Sequence, residues 1–193
     1  FPKCFPQITC IYDYSEDETG RYFVVIEYVK GGSVGEVPKV HLVQVFKGIA
    51  EGLSFIHAHG IIHRDIKPDN ILMDEDGVTP KIADLGVGCS AAGEAGILKC
   101  EDVSGTELYL DPRFYLKAIN TATFKSDIFS LGQTMYTLLT EESPVPFMRK
   151  NKDTMASLYE EALHTLSQIE NVDPLTIELI GRMLHPFDEN VRP

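Results

Sequence analysis

The sequence predicts an α+β fold that is mainly α, and three observations support this fold class. Segments rich in β-branched and aromatic residues are short and lie in the first half of the chain. A long stretch with helical spacing of apolar residues separates two groups of these segments, and the chain after Lys125 shows helical patterns. With 193 residues and 44% hydrophobic content, the chain is long enough to bury a core, so one domain is the default expectation.

The first part of the chain predicts a hairpin followed by a helix. Strands are expected at residues 8–14 and 22–28, on either side of a polar turn that contains Gly20. Between residues 40 and 57 the apolar side chains recur at helical spacing, which predicts an amphipathic helix. Gly60 follows, at a position where a left-handed residue commonly ends a helix.

The rest of the chain predicts a second hairpin and then three helices. Two short strands, NILMD and PKIADL, are joined by an acidic turn, and a loop is expected over residues 87–113. Residues 126–140 carry a dense apolar stripe that predicts a buried helix, and Asp127 near its start suits an N-terminal cap or a first-turn acid. Two further helices are predicted at residues 153–169 and 173–184.

The charge and hydropathy of the chain argue against two classes of partner. The net charge is −12, whereas binding to nucleic acid requires a basic face, so no nucleic-acid partner is expected. No apolar run approaches the ~20 residues that a membrane-spanning helix needs, so no membrane partner is expected either.

The four cysteines predict reduced thiols in a cytoplasmic protein. Cys4, Cys10, Cys89 and Cys100 contain no C-x-x-C pair and do not cluster with histidines at the spacing of a zinc site. The alternative is a disulfide framework, which is typical of secreted proteins.

Residues 61–86 hold four side chains whose chemistry suits phosphoryl transfer. The stretch reads IIHRDIKPDNILMDEDGVTPKIADLG. Asp65 can act as a base toward a hydroxyl group, and Lys67 can neutralise charge on a transferring phosphoryl group. Asn70 and Asp84 offer oxygen ligands of the kind that Mg²⁺ takes together with phosphate oxygens and water. Each residue alone reads as a solvated surface group, but the four together predict a phosphoryl-transfer site.

The same stretch resembles the signature of a eukaryotic-type protein kinase, in particular its larger, C-terminal lobe. HRDIKPDN resembles the catalytic loop, and DLG resembles the metal-binding motif. GTELYLDPR, SDIFSLG and RMLHPFDENVRP are similar to the end of the activation segment, the central helix and the last helical motif. The resemblance extends over essentially the whole chain. It implies a kinase-like C-terminal lobe over residues 30–193, with two remaining N-lobe strands and the hinge in residues 1–29.

The resemblance implies roles for five residues around the reacting groups. Asp65 would accept or orient the proton of the substrate hydroxyl, and Lys67 would contact the γ-phosphate. Asn70 and Asp84 would hold the metal ions that bridge the phosphates. Thr106 would brace Asp65 and Lys67.

The resemblance also implies where the nucleotide lies. The backbone of Glu27 and Val29 would face the adenine, Leu72 would lie beneath it, and Ile26 would be the gatekeeper beside it. Asp127 would anchor the backbone of the catalytic loop from below.

The implied activity is that of a serine/threonine protein kinase, because a lysine at position 67 resembles that class. Its cofactors would be ATP and Mg²⁺, and its partner a protein substrate. The sequence shows no glycine-rich phosphate loop and no strand lysine, has no initiator methionine and stops after Arg192-Pro193. We therefore expect a fragment of a longer kinase that is inactive by itself. The alternative is a pseudokinase, a scaffolding module that binds protein partners.

The chain departs from the family pattern at DPR, where the family usually has a glutamate after proline. That glutamate normally pairs with an arginine that resembles Arg192, and Arg113 cannot replace it. The two arginines would repel each other unless Glu107, Asp111 or Asp188 lies between them. Loss of a buried ion-pair partner can cost ~3–5 kcal/mol, so this position is expected to affect stability or the order of the substrate loop.

The activation segment offers acidic residues where a phospho-threonine is common. Glu101 and Asp102 are expected to face Arg64 in place of a phosphate, with a solvated acidic loop as the alternative. Ser104 remains a candidate phosphorylation site. His63 is interpreted as a packing residue, and His57 and His59 as the end of a helix.

Overall fold

The structure, a computed structural model, describes residues 4–90 and 104–193, and it begins with the predicted hairpin. Strand β1, Ile11–Glu16, pairs antiparallel with β2, Tyr22–Ile26. The carboxylate of Asp17 fixes the turn by accepting hydrogen bonds from the backbone N–H groups of Thr19 (2.8 Å) and Arg21 (3.0 Å). The predicted hairpin is confirmed: β1 begins and ends later than expected, β2 ends two residues earlier, and both strands are exposed.

Helix α1, Leu42–Ala58, packs closely against the second hairpin. A Cβ atom at Gly48 would lie 2.7 Å from the ring of Pro80, so only glycine allows this approach. Gly60 follows the helix with φ of 72°, the left-handed conformation that glycine adopts without strain. The predicted helix and its C-terminal glycine are confirmed.

Two further antiparallel strand pairs enclose the segment that holds the candidate site. Strands β4, Ile71–Met73, and β5, Pro80–Ile82, form the predicted second hairpin. Strand β3, Ile61–Ile62, pairs with β6, Cys89–Ser90. This last pair was not predicted, because two residues are too few to show the alternation of a strand.

Three helices follow in the C-terminal part, as predicted. They are α2, Phe124–Thr140, α3, Lys152–Ser167, and α4, Pro174–Met183. Thr123 caps α2 in a capping box with Ser126, so the N-cap alternative for Asp127 is wrong and its first-turn position is the correct one. Among the described residues, no helix has the length and apolar character needed to cross a membrane.

The core forms around α2, which contacts the other three helices. A Cβ atom at Gly132 would lie 2.7 Å from the Cβ of Met183, so α2 and α4 meet almost backbone to backbone. The largest fully buried apolar side chains are Phe129, Phe147, Leu42, Ile49, Leu53, Ile66, Ile71, Met73, Ile82, Leu131 and Leu139. The mainly α, α+β fold class is confirmed.

The expectation of reduced thiols is wrong for three of the four cysteines. Cys4 and Cys10 form a disulfide bond with their Cα atoms 5.4 Å apart, and the buried Cys89 is disulfide-bonded as well. Cys4 meets Cys10 because the backbone turns over residues 5–8, and neither a C-x-x-C rule nor a zinc-spacing rule detects such a turn. Cys100 lies outside the described residues.

Candidate active site

A buried carboxylate on α2 holds the backbone of the predicted catalytic loop. Asp127 is fully buried, and its two oxygens accept hydrogen bonds from the backbone N–H groups of His63 and Arg64, each at 2.8 Å. Nε2 of His57 lies 2.8 Å from the same carboxylate. Such hydrogen bonds to a charged group are strong, and they fix Arg64 with a φ of 71°. The expected anchoring role of Asp127 is confirmed.

The fixed loop presents Asp65 to three polar partners. Its Oδ1 accepts hydrogen bonds from the backbone N–H (2.9 Å) and the hydroxyl (2.8 Å) of Thr106. Its Oδ2 lies 2.9 Å from Nζ of Lys67 and accepts a hydrogen bond of 2.9 Å from Nδ2 of Asn70. The Lys67 ammonium also donates to the Thr106 hydroxyl at 2.7 Å. Four predicted site residues therefore meet within direct hydrogen-bonding distance.

The surroundings of Asp65 keep its carboxylate ionised. Burial alone would raise the pKa of Asp65, but the hydrogen bonds from Lys67 and Thr106 outweigh that effect. The pKa of Asp65 is therefore held below its ordinary value, and the side chain is a hydrogen-bond acceptor at neutral pH.

Asn70 connects this cluster to the end of β5. Its Nδ2 donates to the backbone carbonyl (2.8 Å) as well as the carboxylate of Asp65, so its amide orientation is fixed. Its backbone carbonyl accepts a hydrogen bond of 2.9 Å from the N–H of Ala83. Because Ala83 immediately precedes Asp84, this bond brings the two predicted metal ligands to neighbouring positions.

Asp84 adopts a left-handed backbone conformation with φ of 60° and ψ of 66°. This conformation is uncommon for residues other than glycine and concentrates at functional sites. The carboxylate stabilises the turn that follows by accepting a hydrogen bond of 3.2 Å from the N–H of Gly86. The side chain is exposed on the pocket side rather than buried in the core.

A pocket of about 550 Å³ lies between the first hairpin and this cluster. Its lining consists of Thr9, Ile11, Val24, Ile26, Asp69, Asn70, Leu72, Ile82, Ala83, Asp84, Leu85 and Gly86. The wall is mostly apolar, and Thr9, Asp69, Asn70 and Asp84 supply its oxygen-bearing side chains. The predicted Leu72, Asn70 and Asp84 share this pocket with Ile26.

Glu27 and Val29 lie next to this lining along the chain but are not part of it. The N–H of Glu27 donates to the carbonyl of Cys10 at 2.8 Å, and its side chain pairs with the buried Lys81 at 3.0 Å. Within the described ranges, the N–H of Val29 takes part in no hydrogen bond. Their predicted contact with a nucleotide stays a prediction.

The donor set of Asn70 and Asp84 fits a hard divalent cation. The amide nitrogen of Asn70 is committed to Asp65, which leaves its carbonyl oxygen available. The Asp84 carboxylate has only the Gly86 N–H as a partner in the described part of the chain. Mg²⁺ commonly takes one or two carboxylates from a protein while phosphate oxygens and water complete its coordination, so a carboxylate with a neighbouring amide oxygen suits it.

A second buried network compensates for the departure at DPR. Asp111 lies between the two arginines: Nη2 of Arg113 is 2.6 Å and Nη1 of Arg192 is 2.5 Å from its Oδ2. Arg113 also donates to Glu189 at 2.6 Å. Burial would raise the pKa of Asp111, but the two guanidinium groups hold that pKa below its ordinary value. Of the three acids considered from the sequence, Asp111 is the one that intervenes.

Three residues that take part in buried ion pairs and hydrogen bonds of this region were not predicted from the sequence patterns. His57 was assigned only to a helix end, although it contacts the Asp127 carboxylate. Glu189 was overlooked in favour of its neighbour Asp188, and no spacing rule distinguishes them. Lys81 stands in a three-residue buried strand, and a charged residue at such a position could have indicated a buried partner.

Two further sequence predictions concern His63 and the acidic residues Glu101 and Asp102. The packing interpretation of His63 agrees with its complete burial, which lowers the pKa of the imidazole, and with its ring nitrogen 3.0 Å from the carbonyl of Ala83. The expected contact of Glu101 and Asp102 with Arg64 lies outside the described residues.

The fold and this cluster define a protein kinase domain. That family matches residues 3–193, and the chain belongs to it. The chain is 32% identical over 149 residues to the serine/threonine-protein kinase PknB of Mycobacterium leprae, an alignment that covers 72% of this chain and 24% of the relative. It is 34% identical over 145 residues to the serine/threonine-protein kinase PknL of Mycobacterium tuberculosis, covering 71% of this chain and 35% of that relative. The chain thus spans roughly a quarter to a third of the length of these relatives.

Proposed function

We propose that the chain is the catalytic part of a serine/threonine protein kinase, which transfers the γ-phosphoryl group of ATP to hydroxyl groups of a protein substrate. The observation that carries the proposal is the direct contact of Asp65 with Lys67, Asn70 and Thr106 beside a pocket that Asp84 also lines. Phosphoryl transfer depends mainly on positioning and electrostatic stabilisation, and these side chains supply both.

Asp65 is proposed as the group that orients the substrate hydroxyl. Its lowered pKa keeps it ionised at neutral pH, so it can accept the hydrogen bond of the incoming hydroxyl and take its proton as the new bond forms. Thr106 holds Oδ1 through two hydrogen bonds and thereby fixes the orientation of the carboxylate.

Lys67 is proposed to stabilise the transferring group. Its ammonium lies between the carboxylate of Asp65 and the hydroxyl of Thr106, at 2.9 Å and 2.7 Å. A cation fixed beside the base is positioned without reorganisation for the charge that develops on the phosphoryl oxygens.

Asn70 and Asp84 are proposed to hold Mg²⁺ and, through it, the phosphates of ATP. The bound cation would neutralise negative charge between the β- and γ-phosphates. The protein's own contribution is to keep both oxygen donors on the lining of one pocket, with Asn70 locked by Asp65 and Asp84 held by its left-handed turn.

The apolar part of the pocket is proposed to hold the adenine. Ile26 and Leu72 line it, and the N–H of Val29 and the carbonyl of Glu27 would pair with the polar edge of the base. A mostly apolar wall with a few placed polar groups is the usual composition of a small-molecule site.

Residues 1–29 are proposed to belong to the N-terminal lobe and hinge, and residues 30–193 to the C-terminal lobe. The hairpin β1–β2 exposes aromatic and aliphatic side chains, with Tyr22 79% and Val24 56% exposed. A contiguous apolar surface of this kind suits contact with further protein. We also propose that the chain is inactive by itself. A cytoplasmic location stays a prediction, and the Cys4–Cys10 disulfide bond weighs against it.

The test is transfer of labelled γ-phosphate to a serine-containing peptide by the full-length gene product. The kinase proposal predicts Mg²⁺-dependent transfer that falls by 10²-fold or more in Asp65→Asn, while folding is retained. A folded full-length protein that shows no transfer supports the pseudokinase alternative. Transfer that is the same with and without the Asp65 carboxylate contradicts the role proposed for Asp65.

A further inference from the structure

A groove beside the segment that follows Thr106 has features that the proposed chemistry does not use. It has a volume of about 340 Å³ and lies between the C-terminal end of α2, the segment that follows it and α3. Leu108, Pro144 and Leu158 contribute to its apolar walls. We call it the α2–α3 groove.

Two carboxylates line the α2–α3 groove. Glu142 accepts a hydrogen bond of 3.1 Å from the hydroxyl of Tyr136, and Glu161 faces the same space from α3. Burial is the main cause that raises the pKa of Tyr136, and the negative charges of Glu142 and Glu161 add to it, which places both carboxylates near that hydroxyl.

These carboxylates lack the cation partners that their neighbours have. Glu107 pairs with Arg149 at 2.6 Å, and Glu141 pairs with Lys39 at 3.0 Å. In the ranges that the structure describes, Glu142 and Glu161 pair with no lysine or arginine, and none lines the groove. The groove therefore combines an apolar wall with uncompensated negative charge.

The groove lies close to the candidate active site along the chain. Thr106, which contacts Asp65, is two residues from Leu108, so their Cα atoms are at most ~7 Å apart. The buried Gln133 fixes this connection, since its Nε2 donates to the carbonyls of Leu108 (3.1 Å) and Val145 (2.8 Å). A polypeptide with its hydroxyl at Asp65 can therefore extend a neighbouring residue into the groove.

We propose that the α2–α3 groove binds a segment of the protein substrate in which a lysine or arginine stands beside an apolar residue. This inference rests on the proposed kinase function and names its substrate class. The apolar side chain, together with the aliphatic stem of the basic residue, would cover the groove wall, and the cationic group would reach Glu142 and Glu161.

The experiment measures peptide binding to the full-length gene product by fluorescence anisotropy, without nucleotide. A labelled serine peptide carries an Arg-Leu pair that is moved in turn through the positions on either side of the serine. A matched set replaces arginine by glutamine. Variants Glu142→Gln and Glu161→Gln are compared with Glu160→Gln, an exposed acid one residue away on α3 that does not line the groove.

The proposal predicts that one position of the arginine in the peptide gives the tightest binding. A variant that combines Glu142→Gln with Glu161→Gln should bind this peptide about three- to tenfold more weakly, and the loss should be larger at low salt than at high salt. Glu160→Gln should bind as the unmodified protein does. Glu161→Lys should shift the preference from the arginine peptide to one with glutamate at that position. Equal binding of arginine and glutamine peptides, or unchanged binding in the double variant, would overturn it. Because nucleotide is absent, these outcomes are separate from any failure of phosphoryl transfer.

Discussion

Arg192 and Asp111 form a buried ion pair in which Nη1 of the arginine lies 2.5 Å from Oδ2 of the aspartate. The guanidinium also donates to the carbonyl of His185 at 2.6 Å and lies over the ring of Phe129 at 4.9 Å. The pair joins Arg192 to the segment that contains Asp111 and Arg113. An aspartate two residues before Arg113 thus takes over the partner role of the family's usual glutamate.

Replacing Asp111 is expected to destabilise the fold strongly. Asp111→Asn leaves two arginines close together without their shared counter-charge, and breaking such a buried pair costs about 3–5 kcal/mol of unfolding free energy. Chemical denaturation of the full-length protein measures the change. Glu189→Gln is the matched control, because its side chain is 41% exposed and should cost less than about 1 kcal/mol. Equal effects of the two substitutions would contradict the assignment.

The same pair predicts how stability depends on pH. The pKa of Asp111 is lower in the folded protein than its ordinary value of 3.8, so folding favours the ionised form. Its contribution is present above pH 3.8 and is lost as the pH falls through the lower folded pKa. The difference in stability between the unmodified protein and Asp111→Asn should therefore shrink in acid. A difference that grows below pH 3.8 would exclude this linkage.

Thr106 is expected to control the pKa of Asp65 and hence the pH profile of the reaction. Thr106→Ala removes the hydroxyl that donates to Asp65 and accepts from Lys67, so the pKa of Asp65 should rise. The acid limb of kcat against pH should then move to higher pH, and kcat should fall by about tenfold. Thr106→Ser keeps the hydroxyl and should restore both. An unmoved acid limb in Thr106→Ala would show that this hydroxyl does not tune the base.

The disulfide between Cys4 and Cys10 should be detectable in the purified protein. Closing a loop of this length stabilises the folded state by about 2 kcal/mol in the chain-entropy account, so Cys4→Ser should lower the melting temperature. Peptide mapping by mass spectrometry without reductant should find the two peptides joined. Recovery of both cysteines as free thiols would contradict the disulfide and support the original expectation of a reducing compartment.

The four helices and the two hairpins could be predicted because each has its own local pattern of apolar residues in the sequence. It was also sufficient to select Asp65, Lys67, Asn70 and Thr106, because the family motif places them, and the structure brings them into contact. Their chemical roles stay proposals.

Long-range partners could not be predicted in the same way. His57 meets Asp127 across 70 residues, and Arg113 meets Glu189 across 76. The pairing of β3 with β6 rests on two residues in each strand. Each of these contacts depends on how separate elements pack, and no local pattern encodes it.

The central claim is that Asp65, Asn70 and Asp84 converge on one triphosphate. The most direct measurement is a crystal structure of the full-length protein with Mg²⁺ and a non-hydrolysable ATP analogue. The account predicts a cation about 2.0–2.1 Å from oxygens of Asn70 and Asp84, with the γ-phosphate between that cation and Lys67. A triphosphate bound elsewhere, or a cation that contacts neither Asn70 nor Asp84, would contradict it.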